Sequence, residues 1–305
     1  MTQFILLRVL QAFLTLLAMS AGVFFAVNLT GDVVSFLTSP QDTPADIERM
    51  RRSLGLDRPV YVQYGIFLQN LLQGDLGYSW TWGRPARDLL LERFPNTLKL
   101  AGVGFLLTLI IGIPLGIMSA IKRDTLLDRV GKFLAILGMA APQFWVGIML
   151  ILFFGAFLGW LPTFGMGGFK HFILPAFALS LFLIAGMVRL TRSSMLEVLD
   201  SEYIKFARVK GLKEWLVIWK HALKNAIIPV LTFAGISLGG LLNGSIVVEI
   251  VFAWPGLGRL MLTAVTQRDY AVVEATVLTA GALYILMAMI VDILYAYVDP
   301  RIRPE

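Results

Sequence analysis

The stretch Ser201–Val230, SEYIKFARVKGLKEWLVIWKHALKNAIIPV, decides how this chain is read. Lys205, Arg208, Lys210, Lys213, Lys220 and Lys224 make it strongly basic, yet apolar runs long enough to cross a bilayer lie on both sides of it. Within it, Leu212, Trp215, Leu216 and Trp219 fall at helical spacing on one face, while Lys213, Glu214 and Lys220 fall elsewhere. Gly211 predicts a bend that divides the insert into two short helices, because glycine turns the backbone at low steric cost. A basic amphipathic insert suits either the surface of anionic lipid or the groove of a partner protein. A helix–glycine–helix bracket held between two spans is also a shape suited to transmitting force.

The rest of the chain sets the context for that insert. Its 305 residues are 57% hydrophobic and only 15% charged, with a mean hydropathy of +0.77. Soluble chains are roughly 45–50% apolar, so lipid is the expected solvent here. The sequence has no cysteine, which excludes disulfides, thiol nucleophiles and thiolate metal sites.

A spanning helix needs about 20 mostly apolar residues, because each residue rises ~1.5 Å across a layer of ~30 Å. Six runs qualify: Val9–Gly31, Leu98–Ile121, Phe133–Leu158, His171–Leu190, Ala226–Phe252 and Ala271–Val298, the last enclosing Asp292. The first reads as a span rather than a removable signal peptide. Backbone amides in lipid must be satisfied locally, and barrel-type alternation is absent, so the fold class is an all-α membrane protein with six transmembrane helices. Pro114 and Pro175 fall within or near the start of spans, where neighbouring helices tolerate a kink.

Six spans place both termini on one side, together with the loops around 122–132 and 189–224. That side collects Arg8, Lys122, Arg123, Arg129, Lys132, Arg189, Arg192, the insert's cations, Arg301 and Arg303. The opposite short loops hold only Lys170, Arg259 and Arg268. The bias predicts cytoplasmic termini and explains much of the net charge of +6 without nucleic acid. Residues 32–96 then form an external segment, with Thr43 capping a helix that Pro44 begins and that Asp46 and Glu48 favour at its positive end.

Catalysis fits poorly, and no catalytic or metal-binding residue is assigned. His171 and His221 fall on opposite sides of the membrane in this topology. No HExxH or phosphate-cradling GxxxxGK[ST] motif occurs. Gly235-Ile-Ser-Leu-Gly239 matches GxSxG but lies inside a span, without the strand–turn–helix context of a nucleophile elbow. Together with Gly240xxxGly244 and Gly112xxxGly116, it reads as helix packing through small residues. Asp292 is the candidate intramembrane polar site, with structural pairing as its simpler role; Glu249 and Glu274 bracket the loop between spans five and six.

The stretch Tyr203-Ile-Lys-Phe-Ala-Arg-Val-Lys-Gly-Leu212, followed by His221-Ala-Leu-Lys-Asn-Ala-Ile-Ile-Pro229, resembles the cytoplasmic loop of ABC importer permeases. The resemblance is to the dipeptide/oligopeptide/nickel branch, whose glycine-centred EAA loop binds the ATPase subunit. Further landmarks follow in order: Gly74-Asp-Leu-Gly77, Arg93-Phe-Pro-Asn-Thr97, Ala141-Pro-Gln-Phe-Trp145, Leu161-Pro-Thr-Phe-Gly165, Arg189-Leu-Thr-Arg-Ser-Ser194, Val248–Phe252, Trp254-Pro-Gly-Leu-Gly258, Arg268-Asp-Tyr270 and Asp299-Pro-Arg-Ile-Arg303. Departures include Lys205-Phe206 for an Arg-Thr pair, Val209 and Ala271 at usual alanine and proline positions, and Ala288 where an asparagine usually stands.

The resemblance implies a type I ABC importer-like permease subunit of a bacterial or archaeal plasma (inner) membrane. Its domains are 1–31 (N-terminal end and first span), 32–96 (external subdomain) and 97–305 (five-span core with coupling loop 192–225). The implied partners are a second homologous permease, two cytoplasmic ATPase subunits that bind ATP and Mg, an external substrate-binding protein and the lipid bilayer. No cofactor is expected in this chain itself. The ATPase-coupling residues are expected to be Glu202, Tyr203, Lys205, Ala207, Arg208, Lys210, Gly211, Leu212, Lys213 and Trp215. Trp254, Pro255, Gly256 and Gly258 form an external turn or gate in this reading. Peptides or a related small solute are the expected cargo. The rival class, an ion-coupled secondary transporter or channel, calls for inverted repeats or facing broken helices, neither of which is evident.

Overall fold

Apolar runs, small-residue stripes and a few prolines set the architecture. The computed structural model describes residues 2–30, 43–53 and 55–298, with side-chain surroundings excepted at 2–4, 30, 242–243, 292 and 294–298. The Asp299–Arg303 landmark, the side chain of Asp292 and the start of the external segment therefore lie outside the described residues. The helices are α1 (Thr2–Thr30), α2 (Pro44–Ser53), α3 (Val60–Leu72), α4 (Ala86–Ile121), α5 (Leu126–Ala140), α6 (Gln143–Leu150), α7 (Lys170–Leu199), α8 (Glu202–Val209), α9 (Glu214–Leu216), α10 (Leu223–Val251), α11 (Leu257–Thr266) and α12 (Tyr270–Val298). Strands β1 (Tyr78–Ser79) and β2 (Arg84–Pro85) pair antiparallel before α4.

Among the described residues, five helical runs are long and apolar enough to cross a membrane, and α5 with the run Gln143–Phe157 makes a sixth that is bent by 110°. The third span was expected as one helix over Phe133–Leu158. It is broken because Pro142 follows Ala141, which lies extended at φ −80°, ψ 126°. The pair still traverses its bundle. A Cβ on Gly131 would stand 3.4 Å from Ser119 near the end of α4, one on Gly138 3.0 Å from Ala185 in mid-α7, and one on Gly147 3.1 Å from Val251 at the end of α10.

Two other boundaries differ from expectation. The helix that carries the second span starts at Ala86, ahead of the apolar run from Leu98, and the Arg93–Thr97 landmark is helical. The fifth begins before Ala226. The segment after Gly211 is not a separate short helix, because α9 continues through a π-helical turn, Val217–Ala222, into α10.

The chain divides into two compact units: residues 1–96 with 256–286, and 97–255 with 287–305. In the second, α4 and α7 run parallel with close backbone approach. A Cβ on Gly112 would lie 2.7 Å from Met187, and one on Gly116 2.5 Å from Thr191. These are the small-residue contacts that replace hydrophobic drive in lipid. Gly244 packs beside Gln143 and Leu179, whereas a Cβ on Gly240 would meet no described atom within 4 Å, so only one half of that predicted pair is a packing site. The core gathers Leu100, Leu179, Leu241, Phe252 and Trp254.

In the first unit, Phe24, Phe25, Tyr64 and Phe67 stack α1 on α3, and the Ser20 hydroxyl lies 2.9 Å from the Tyr64 hydroxyl. Leu89, Leu260, Ala264, Val272 and Ala275 form its second core. Helix α2 starts as its sequence predicts: the Thr43 hydroxyl donates to Asp46 at 2.6 Å, and the Asp46 amide donates back at 3.3 Å. The Thr43 hydroxyl and the Thr43 amide both donate to the Asp46 carboxyl and hold it below the usual carboxylate range.

Candidate functional site: a glycine elbow between membrane helices

Gly211 adopts φ +76°, in the left-handed region that favours glycine, and a Cβ there would meet nothing within 4 Å. The chain therefore turns sharply between α8 and α9 with open space outside the bend. On its inner side α8 buries Ile204 and Ala207. They join Met195, Leu199, Ile117, Ala120, Val217, Ile218, Ala222 and Ala226 in one apolar cluster. This cluster ties the elbow to the ends of α4 and α7 and to the foot of α10.

Polar bonds fasten the bend. Arg208 spans it, donating from Nη2 to Glu214 Oε1 at 2.8 Å and from Nε to Oε2 at 3.2 Å. The Glu214 carboxylate beside it pushes the Arg208 guanidinium above its ordinary pKa. Asn225 of α10 donates to the Tyr203 hydroxyl at 2.7 Å. Lys205 pairs with Glu202 at 2.7 Å, which raises the Lys205 pKa, and Lys210 Nζ sits 4.6 Å above the Phe206 ring. Arg208, Lys205 and Lys210 thus spend part of their charge inside the elbow.

The outer side is apolar and open. Tyr203, Phe206, Val209, Leu212, Trp215 and Trp219 are all exposed, Val209 at 83%. Glu202 and Lys213 are exposed beside them. The structure thus brings the residues from Glu202 to Trp215 together, with Ala207 alone facing inward among those singled out.

The other expected sites lie apart. Trp254 is fully buried, edge-on to Phe172 with ring centroids 4.7 Å apart, and its amide donates to the Glu249 carbonyl at 2.8 Å. Ala253 takes φ +49° in this turn, and Gly256 caps α11 in an extended conformation. Pro255 is partly buried and Gly258 buried.

Two buried carboxylates in the 97–255 unit were not anticipated. Glu249, expected near an interface, is fully buried and accepts from the Thr97 hydroxyl at 2.7 Å. Asp128, also fully buried, accepts from Arg192 Nε at 2.7 Å and Nη2 at 3.0 Å, from Ser119 at 2.5 Å and from the Asp124 amide at 3.0 Å. Lys132 Nζ lies 2.8 Å away. Counting Lys132 and Arg192 as topology charges hid this clamp; the i, i+4 spacing of Asp128 and Lys132 was the available signal.

The described helices thus give a membrane bundle with one broken span and an elbow that leaves an apolar outer face. Residues 112–304 match the family model for the binding-protein-dependent transport system inner membrane component, and residues 1–101 match that for the N-terminal part of such a membrane component. The chain is 41% identical over 304 residues to the glutathione transport system permease protein GsiC of Escherichia coli and of Salmonella typhi, covering 99% of each chain. Among solved structures it resembles inward-facing forms of the MetNI methionine ABC transporter, with a TM-score of 0.58 at 20% identity over 69% of this chain and 96% of that one. It also resembles an amino acid ABC transporter solved with histidines, with a TM-score of 0.57 at 16% identity over 69% and 94% of the two chains. The chain belongs to the binding-protein-dependent transport system inner membrane component family. It is a multi-pass inner-membrane permease subunit of an ABC importer, a family whose members work with ATPase and binding-protein partners.

Proposed function

We propose that this permease carries short peptides of the glutathione kind, that a second homologous permease completes its path, and that two cytoplasmic ATPases move it through the Gly211 elbow. The near full-length identity to permeases named for glutathione transport supports the cargo class. Six crossings, with the bent pair taken as one span, and the basic bias of the loops on one side support cytoplasmic termini. Residues 1–31, 32–96 and 97–305 then serve as first span, external subdomain and five-span core.

The observation that carries the coupling role is the two-faced elbow. Its inner face is cemented into the apolar cluster around Ile204 and Val217, while its outer face leaves Phe206, Val209, Trp215 and Trp219 exposed. A partner seated on the outer face would push α8 as a rigid body, and the cluster would pass the displacement to α4, α7 and α10. That is the two-state element coupling requires: closure of the ATPases around ATP and Mg biases one arrangement of the spans and release biases the other. Tyr203, Ala207 and Gly211 shape the elbow, while Glu202, Lys205, Arg208, Lys210 and Lys213 set its charge. Leu212 and Trp215 supply contact area. The Trp254–Gly258 turn, anchored by Trp254, sets the geometry of the outer loop.

The test is uptake of radiolabelled glutathione by vesicles holding the whole transporter. ATP-dependent uptake that Gly211→Glu abolishes, while leaving the subunit inserted, is the expected result. Normal uptake and normal ATPase association in that variant would refute the coupling role.

A further inference from the structure

Glu274 stands in the second turn of α12, within an apolar helical run, and is partly buried. Among the described residues none hydrogen-bonds to its carboxylate or pairs with it. A carboxylate held this way in a spanning helix is costly, and such residues as a rule mark a ligand or ion contact. Glu274 lines a cavity of about 410 Å³, within the range of small-molecule sites, together with Gln63, Tyr78, Trp80, Arg268 and Tyr270.

The cavity walls are held in place. Asp269, buried at the foot of α12, accepts from the Ser79 hydroxyl at 2.5 Å and from the Thr81 amide at 3.3 Å, and its other oxygen accepts from the Val272 amide at 3.3 Å. One carboxylate thus joins the hairpin to the start of α12. This fixes the edge-on pair Tyr78 and Trp80, 5.4 Å between centroids, on the cavity that Glu274 enters. Arg268 is held at φ +56°, a conformation that persists only where the surroundings enforce it.

We propose that this cavity is a ligand site in which Glu274 holds the primary ammonium group of a small solute. A carboxylate beside aromatic faces, ionised when a cation sits against it, is the chemistry that recognises an ammonium. Arg268 lines the same cavity. On the orientation proposed above the cavity opens on the outer side, so a solute meets it before crossing. Only the word solute rests on the importer reading; binding itself does not require coupling to ATP.

The experiment is equilibrium binding to the purified, assembled transporter without ATP, read by tryptophan fluorescence with Trp80→Phe as the control for signal origin. Three probes separate the charges: L-alanyl-L-alanine, its C-terminal amide and its N-acetyl derivative. The first two bind saturably and the N-acetyl form does not, and Glu274→Gln weakens the amide roughly tenfold or more. Glu274→Gln leaves the thermal unfolding midpoint unchanged or raised, since it removes a carboxylate without a partner. Gly211→Glu, which stops uptake, leaves this binding intact. Absent saturable binding, equal binding of the N-acetyl probe, or unchanged amide binding by Glu274→Gln would each overturn the assignment. A lowered unfolding midpoint in Glu274→Gln would also overturn it, by revealing a structural pairing.

Discussion

Two connections in the 97–255 unit solve the same problem in opposite ways. The turn from α4 to α5 closes inward: Asp128 collects Arg192, Lys132, Ser119 and a backbone amide around one fully buried carboxylate. The turn from α7 to α10 also fastens itself inward, through the cluster around Ile204 and Val217, but it leaves a second apolar face open. A connection whose bonding groups are all satisfied by its own bundle holds helices together. The first turn also exposes Leu126, but the elbow's open surface runs through Tyr203, Phe206, Val209, Leu212, Trp215 and Trp219, and apolar surface of that extent marks a contact site. The clamp therefore reads as a stability element and the elbow as a contact element, and perturbing the two should separate stability from activity.

The largest stability effect belongs to the clamp. Asp128→Ala leaves the Arg192 guanidinium, only 19% exposed, without its main counter-charge. Removing one partner of a buried ion pair costs about 3–5 kcal/mol, so detergent-solubilised Asp128→Ala should melt well below the wild-type midpoint. Replacing both partners, Asp128→Ala with Arg192→Met, should recover much of that loss, because no buried charge then lacks a partner. A double variant as unstable as the single one would show that the clamp matters through shape alone.

Gly211→Glu should do the reverse. Open space surrounds the missing Cβ, so the cost is the left-handed conformation alone, about 1–2 kcal/mol. The subunit should stay folded and inserted while ATP-dependent uptake is lost. A melting loss as large as that of Asp128→Ala would erase the contrast between the two connections.

The smallest effect is expected at the elbow's surface staple. Arg208 and Glu214 are 40% and 55% exposed, and exposed ion pairs contribute about 0–1 kcal/mol. Glu214→Ala should barely move the melting midpoint and should reduce uptake less than Gly211→Glu does. Loss of uptake equal to that of Gly211→Glu would mean that the staple, rather than the glycine bend, sets the elbow's shape.

The same contrast explains what could be read from residues alone. Apolar run length located the spans, because lipid leaves the backbone few choices. The bend at Gly211 was legible because glycine has a specific reason to stand in a left-handed turn. Thr43, Pro44 and Asp46 announced the start of α2 for an equally local reason. What stayed hidden depends on pairing across distance. Asp128 with Arg192 and Glu249 with Thr97 are far apart in sequence, and each partner alone looked like a loop charge or an interfacial polar group. The break at Ala141–Pro142 was present in the residues, but the unbroken apolar composition on both sides masked it. The exposure of Trp215 and Trp219 also needed coordinates, since only the course of α9 into α10 decides which face remains outside.

The central claim is that the outer face of the elbow is covered by an ATPase subunit. The chain has no cysteine, so a single Val209→Cys substitution, at the most exposed apolar position of α8, gives a clean reporter. Maleimide labelling of this variant in membranes, with and without the coexpressed ATPase subunits, tests the claim directly. The account predicts strong labelling of the permease without the ATPases and protection in the assembled transporter, while a Leu126→Cys reporter beside the clamp labels equally in both. Equal labelling of Val209→Cys in the two preparations would contradict it.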